Sequence, residues 1–173
     1  MNRLNPWYAD FDELYRRHLC RHASWSLNAL HLVAVAGIYF SLFGMARGLP
    51  YGSWLTAAAL AGYFAVVGRN ISPALSAASA ATLAAIAAVS WAGPQLPLPL
   101  HAALVLAWHR LQTWSHRFFR DAYDMSEFAE TYRKGALLFV LLSLYELPLL
   151  LERLVFSRKT VAELGLTRTT QLS

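Results

Sequence analysis

Long apolar runs dominate the middle of this chain, and polar residues gather toward its two ends. Residues 1–26 mix charged and aromatic side chains, residues 27–113 carry almost no charge, and residues 114–136 are charged again. A last apolar run covers residues 137–156. Because a helix needs about 20 mostly apolar residues to cross a bilayer, this pattern predicts an all-α polytopic membrane protein built as a helical bundle.

Four of the apolar segments are predicted to span the membrane. The second is short and must tilt or sit where the bilayer is thin. The third is rich in alanine and serine, and such small residues let helices pack closely in lipid. The predicted spans are residues 27–46, 53–67, 72–92 and 98–114.

One further helix is expected before the four spans and one after them. Residues 8–24 place apolar side chains at helical spacing, which is typical of an amphipathic helix. Residues 137–156 are long enough to cross a bilayer, but two glutamates and a proline interrupt them. The prediction is one membrane domain over residues 1–156, followed by a polar tail over 157–173.

The basic residues indicate how the spans are oriented. With four spans, nearly all lysines and arginines fall on one side of the membrane, and Arg47 stands alone on the other. The positive-inside rule then predicts that both termini are cytoplasmic. A crossing by residues 137–156 would export Arg158 and Lys159, so this segment is predicted to be re-entrant or interfacial. The alanine-rich spans favour a bacterial inner membrane over the endoplasmic reticulum.

Composition agrees with this class of protein and argues against others. Hydrophobic residues make up 57% of the chain and charged residues 14%, whereas soluble domains carry about 25% charged residues. The net charge of +5 comes from residues that flank apolar spans, so it does not indicate nucleic-acid binding. The single Cys20 cannot form an intrachain disulfide. Charged residues within 1–26 leave no early apolar core, so we expect no signal peptide.

Histidines are concentrated where the first and fourth spans meet the cytoplasmic face. Ionisable side chains at membrane depth are costly and are functional by default. A group of them drawn from distant parts of the sequence therefore predicts a site at this face. Five of the six histidines fall there: His18, His22, His31, His109 and His116.

Spacing along the chain indicates which of these side chains can meet. His18 and His22 are four residues apart, a spacing that lets two imidazoles share a metal ion. His22 and His31 can converge only if the helix breaks between them, and Ser24 and Ser26 are suitable N-caps for a new helix there. The fourth span carries a polar stripe within an arc of about 80°, which is expected to face the bundle interior. This stripe consists of His101, His109, Gln112 and His116.

Two motifs in these regions follow the pattern of a known family. In the first, His22 and His31 are nine residues apart with Asn28 between them. In the second, Gln112 precedes His116 by four residues. With the four-span layout, these motifs make the chain similar to the small membrane 2-hydroxy fatty acid dioxygenases, a family first described in yeast phytosphingosine breakdown. The chain departs from the family pattern in lacking the glutamate and proline that follow the third histidine.

The resemblance implies an iron(II) enzyme that uses O2 to shorten a 2-hydroxy fatty acid, or a related lipid, by one carbon. Imidazole ligands suit ferrous iron, and open coordination positions would accept O2 and a chelating hydroxy carboxylate. An arginine would pair with the substrate carboxylate. The implied roles are metal binding by His22, His31 and His116, orientation of a ligand or of the oxygen by Gln112, a reserve ligand at His18, and substrate binding by Arg21 or Arg117.

Two other functions are compatible with the same residues. A bis-histidine haem protein would place His31 opposite His109 across the bundle. A non-enzymatic membrane scaffold or lipid-binding protein would bind no metal. A di-iron desaturase is not expected, because the chain has six histidines and no adjacent pair. The expected partners are the bilayer and a lipid or fatty acid substrate, with no nucleic acid, and a homo-oligomer is left open.

Overall fold

The computed structural model describes residues 6–119 and 136–157, and those two segments are all-α with no strand. A short 3-10 helix comes first, and a π-helical turn comes last. The elements in order are the 3-10 helix Pro6–Tyr8, α1 (Phe11–Leu19), α2 (Trp25–Arg47), α3 (Gly52–Val67), α4 (Pro73–Ala92), α5 (Leu98–Ser115), α6 (Ala136–Leu151) and the π-helical turn Glu152–Phe156.

The helices occupy the predicted segments, so the all-α fold class is confirmed. The bounds of α2 to α5 lie within two residues of those predicted for the four spans. The C-terminal helix predicted over 137–156 corresponds to α6 together with the π-helical turn. Most of the predicted tail, residues 158–173, lies outside the described residues. Two helices, α2 and α4, are long and apolar enough to cross a membrane, while α3 is apolar but shorter. The arrangement with four spans remains a prediction.

Local residues explain where two of these helices begin. The Ser72 hydroxyl accepts a hydrogen bond from the Leu75 amide at 3.2 Å, and Pro73 stands in the first turn of α4. Proline suits that position because an N–H there would have no partner within the helix. Before α3, Tyr51 has a φ of 60°, in the left-handed region, and the chain reverses direction there after α2.

The N-terminal amphipathic helix, predicted over residues 8–24, is shorter than expected. Asp10 is the N-cap of α1, which stops at Leu19, and residues 20–24 form turns and loop. Ser24 is then the N-cap of α2. The break in the helix that the sequence requires between the second and third histidines is therefore present.

Helix α2 lies at the centre of the bundle, where it contacts α3, α4, α5 and α6. Its main neighbour is α5, which runs antiparallel to it. The ring of Trp108 lies over Gly37 and the ring of His101 over Gly44, so closely that a Cβ at either glycine would overlap them. Small residues at a helix interface permit such close approach. The consequence is that the N-terminal part of α2 faces the C-terminal end of α5.

Helix α6 joins this end of the bundle through specific polar contacts. Tyr145 is fully buried, and its hydroxyl accepts a hydrogen bond from the Asn70 side chain at 2.7 Å. Beyond the helix, the Arg153 guanidinium donates to the carbonyl of Ala23 at 3.0 Å. These contacts bring the C-terminal end of α6 beside the loop between α1 and α2.

The glycine contact between α2 and α5 yields a stability prediction. Replacing Gly37 with alanine pushes a methyl group into the Trp108 ring, and inserting a methyl group into a filled core costs about 1–3 kcal/mol. We expect Gly37→Ala to lower the thermal midpoint of the detergent-solubilised protein. The matched control is Gly62→Ala in α3, where a Cβ meets no atom within 4 Å. The control should melt at or above the wild-type temperature, and similar midpoints for the two variants would contradict the prediction.

Candidate metal centre

Three histidine side chains from separate parts of the fold meet at one point. His22 lies in the loop after α1, His31 in the second turn of α2, and His116 directly after α5. The ring centroid of His22 lies 4.6 Å from that of His31 and 4.8 Å from that of His116. The centroids of His31 and His116 are 5.0 Å apart. The ring planes are inclined to one another by 74°, 74° and 85°. These three residues can hold a metal ion.

The separations allow one ion to be shared after a small adjustment. One nitrogen from each ring lies within 4.8 Å of the others. Imidazole nitrogens bind a divalent metal at about 2.1 Å, so two ligands of one ion are at most about 4.2 Å apart. The widest pair must therefore close by at least about half an ångström, and by more where two ligands are not on opposite sides of the ion; rotations about the side-chain torsions move the rings in this way.

The hydrogen bond of His22 selects its tautomer. Its Nδ1 lies 3.1 Å from the backbone carbonyl of His18. A carbonyl oxygen only accepts, so Nδ1 carries the hydrogen and donates it. The lone pair is then on Nε2. Metal-binding histidines usually donate their second ring N–H to such an acceptor, which fixes the ring and raises its basicity.

The hydrogen bonds of His31 select the opposite tautomer. Its Nε2 lies 3.0 Å from the hydroxyl of Ser115, and that hydroxyl donates its only hydrogen to the Gln112 carbonyl at 2.6 Å. Ser115 therefore accepts from His31, and Nε2 carries the hydrogen. The lone pair is on Nδ1, which is buried and has no hydrogen-bond partner among the described residues. A buried unsatisfied nitrogen is costly, and a bound metal ion would satisfy it.

Glu146 of α6 stands next to this nitrogen. One of its carboxylate oxygens lies 3.6 Å from Nδ1 of His31 and accepts a hydrogen bond from the Gln112 side chain at 2.7 Å. A carboxylate and an imidazole lone pair repel at this distance unless a cation or proton lies near them. Glu146 is not among the residues that the sequence predicts for the site. No spacing rule within α6 connects this glutamate to histidines from α2 and α5.

His18 lies beside the cluster. Its spacing from His22 predicted that the two rings could share a metal ion, but in the structure the rings are stacked on each other. Its ring stacks on His22 with the centroids 4.1 Å apart and the planes inclined by 5°. Stacked parallel rings point their lone pairs in parallel directions, so they do not converge on one ion. The Nε2 of His18 lies 2.8 Å from the side-chain oxygen of Asn28. The Asn28 amide nitrogen donates to the carbonyls of His22 and Ser24, so its oxygen accepts from His18.

Burial favours the neutral form of His18, His22 and His116. It lowers the pKa of His18 to about 4, although the hydrogen bond to Asn28 acts in the opposite direction. Burial and the neighbouring His18 also lower the pKa of His22 strongly. Burial and the neighbouring His31 lower the pKa of His116. Because only a neutral imidazole binds a metal ion, these shifts favour metal binding by His22 and His116 at neutral pH.

A cavity of about 580 Å³ opens onto the histidine cluster. Its polar end is formed by α1, the following loop and the ends of α5 and α6, and its walls are apolar side chains of α2 and α6. The polar end therefore holds the charged and metal-binding groups, and the remainder suits a hydrocarbon chain. The apolar walls include Val35, Ile38, Tyr39, Leu42, Leu138, Phe139 and Leu142.

The arginines near this cavity divide into three cases. Arg21 is exposed and lines the cavity, as its predicted role requires. Arg117 is exposed and is not among the lining residues. Arg17, which the sequence places among the basic residues of the cytoplasmic face, is 3% exposed, lines the cavity and pairs with Glu13 at 3.0 Å.

The predicted polar stripe on α5 is only partly right. His101 and Gln112 are buried, as expected for residues that face the bundle interior. His109 lines the cavity but is exposed, and it lies outside the cluster of three histidines. His101 packs against Phe40 and Gly44 at the opposite end of α2, remote from the cluster.

Comparisons of the chain with protein-family models, with curated proteins and with solved structures found no match.

The cluster leads to a prediction about metal content. Protein purified in detergent and loaded with a divalent transition metal should retain about one ion per chain. Three protein ligands are enough to hold a catalytic metal ion, whose remaining coordination positions stay open. His22→Ala, His31→Ala and His116→Ala should each lose this ion. His109→Ala is the matched control, since it removes an exposed imidazole from the same cavity. Equal metal content in all four variants, measured by elemental analysis, would rule out the cluster as a metal site.

The hydrogen bond from His31 to Ser115 leads to a second prediction. Removing the partner that orients a metal ligand weakens metal binding by about 10- to 100-fold. Ser115→Ala should raise the dissociation constant for the metal by this factor while the protein stays folded. Ser53→Ala, an exposed serine at the start of α3, should leave the constant unchanged. Titration with a competing chelator measures both, and an unchanged constant in Ser115→Ala would show that this contact does not position His31.

Proposed function

We propose that this chain is an iron(II)-dependent membrane oxygenase that removes one carbon from a 2-hydroxy fatty acid or a related lipid, using O2. The observation that carries the proposal is the position of three convergent histidines at the polar end of an apolar cavity. A fatty acid has the same distribution of polarity. Its head group would lie at the histidines, and its chain would lie between α2 and α6.

The ligand set suits ferrous iron. His22, His31 and His116 would hold the ion, and three imidazoles leave coordination positions open for exogenous molecules. When bound, iron(II) would supply the activation of O2 and the contact to the hydroxyl and carboxylate groups of the substrate. One O2 balances the reaction, because the 2-hydroxy acid yields the acid shortened by one carbon, carbon dioxide and water.

The chain's own polar residues would hold the site and the substrate head group. Arg21 at the cavity is suited to pair with the substrate carboxylate, since arginine binds carboxylates through two parallel hydrogen bonds. Arg17 adds a second, buried positive charge. Gln112 and Glu146 are hydrogen-bonded to each other beside His31. In this proposal Gln112 orients a ligand or the bound oxygen, and Glu146 is in position to exchange a proton with a bound hydroxyl.

The membrane arrangement that we propose has four spans, formed by α2 to α5, with both termini in the cytoplasm of a bacterial cell. The site is then at the cytoplasmic edge of the inner membrane, next to the start of α2 and the end of α5. Arg47, at the opposite end of α2, donates to the carbonyls of Ser90 and Gly93. These hydrogen bonds support burial of this single arginine among helix ends. We propose that α6 is re-entrant or interfacial.

A lipid-binding protein without catalytic activity is the second candidate. The apolar walls of the cavity favour it as much as they favour an enzyme. The two candidates differ in the need for the histidines, because a lipid carrier requires only the cavity and an anion-binding end.

Anaerobic purification with ferrous iron, followed by addition of a 2-hydroxy fatty acid and O2, tests the proposal. We expect O2 consumption together with an acid one carbon shorter, and we expect His31→Ala to abolish both. His109→Ala should keep most of the activity. Binding of the fatty acid without O2 consumption, in protein that carries iron, would reject the oxygenase and support the lipid-binding alternative.

A further inference from the structure

A second cavity of about 590 Å³ lies between α2 and α3 and opens to the surface of the bundle, where Leu55, Ala59 and Gly62 are exposed. None of its lining residues carries a charge, and its hydroxyl groups are those of Tyr39, Thr56 and Tyr63. The Thr56 hydroxyl donates to the Gly52 carbonyl at 2.8 Å. Met45 of α2 and Ala59 of α3 are among the other walls. A cavity lined almost entirely by apolar side chains, with no charged group, suits a hydrocarbon better than a polar head group.

The two cavities share part of their walls. Tyr39 and Leu42 line both the cavity at the histidines and the second one. Side chains along α2 that line one cavity or the other are spaced by three and four residues, so they form one continuous stripe on the helix. The stripe consists of His31, Val35, Ile38, Leu42 and Met45.

The helix also gives the length of this path. At a rise of about 1.5 Å per residue, Leu42 is about 16 Å from His31 along α2, and Met45 is about 21 Å from it. The hydrocarbon core of a bilayer is about 30 Å thick, which is about 15 Å for each leaflet. The length of the first cavity therefore matches an acyl chain as long as one leaflet is thick. Only a longer acyl chain would reach the second cavity.

We propose that the second cavity holds the distal part of a long acyl chain whose polar head lies at the histidine cluster. This inference rests on the proposed function, and it specifies the class of substrate as fatty acids with chains longer than one leaflet. Tyr39 and Leu42 mark the passage between the two cavities. The second cavity then determines the preference for chain length without affecting how the head group binds.

Gly62 offers a way to fill the second cavity without disturbing the fold. It lines this cavity, and a Cβ there meets no atom within 4 Å. By contrast, a Cβ at Gly37 or Gly44 would overlap a ring of α5. A large side chain at Gly62 therefore occupies the space that the distal acyl chain would need, while the contact between α2 and α5 stays intact.

The test is equilibrium binding of two radiolabelled saturated 2-hydroxy fatty acids to iron-loaded protein without O2, so that no turnover occurs. One acid has a medium chain that ends within the first cavity, and the other has a very long chain. Gly62→Phe should weaken binding of the very-long-chain acid by about tenfold or more, as expected when added atoms occupy a filled site. Binding of the medium-chain acid should be unchanged, which also shows that the variant is folded.

Two further variants complete the design. Ala59→Phe adds the same ring from the preceding turn of α3 and should repeat the effect. Ala61→Phe adds it at an exposed position that does not line the cavity, and it should bind both acids like the wild type. Equal affinities of wild type and Gly62→Phe for the very-long-chain acid would overturn the inference, as would an equal loss for both acids. Failure of the wild type to bind either acid would overturn the proposed function itself.

Discussion

The antiparallel contact between α2 and α5 is the constraint on which the rest of the structure depends. Gly37 and Gly44 allow the rings of Trp108 and His101 to lie directly on the backbone of α2. In the membrane arrangement proposed above, lipid would offer little hydrophobic driving force between helices, and close packing of this kind would hold them together. The same contact fixes the register of the two helices and thereby sets His31 beside the end of α5.

The loop between α1 and α2 completes the cluster of histidines, and Asn28 holds that loop. Its side chain is fully buried and bonds to His18 and to the carbonyls of His22 and Ser24. One asparagine thus ties the end of α1, the loop and the first turn of α2 to each other. With the loop held in this way, the ring of His22 lies near those of His31 and His116 and remains available to a metal ion.

The histidine cluster lies next to apolar cavities, and this arrangement suits a ligand with a polar head and an apolar chain. Charged side chains and the histidines that could hold a metal ion lie at one end, and the two cavities along α2 are otherwise lined mainly by apolar residues. In the proposed oxygenase, a lipid substrate would present its head group to the metal without its chain having to leave an apolar environment. The helix that supplies His31 would also supply the apolar stripe along which that chain lies.

The sequence by itself determined the all-α class, the bounds of α2 to α5 within two residues and the three histidines that converge. Long apolar runs and helix-capping residues are local signals, and the required break between His22 and His31 follows from helical periodicity. Only the tertiary structure decided the tautomers of the histidines, the stacking of His18 on His22 and the place of Glu146. Those features depend on which side chain of one helix meets which of another, and no periodicity within a single segment encodes that pairing.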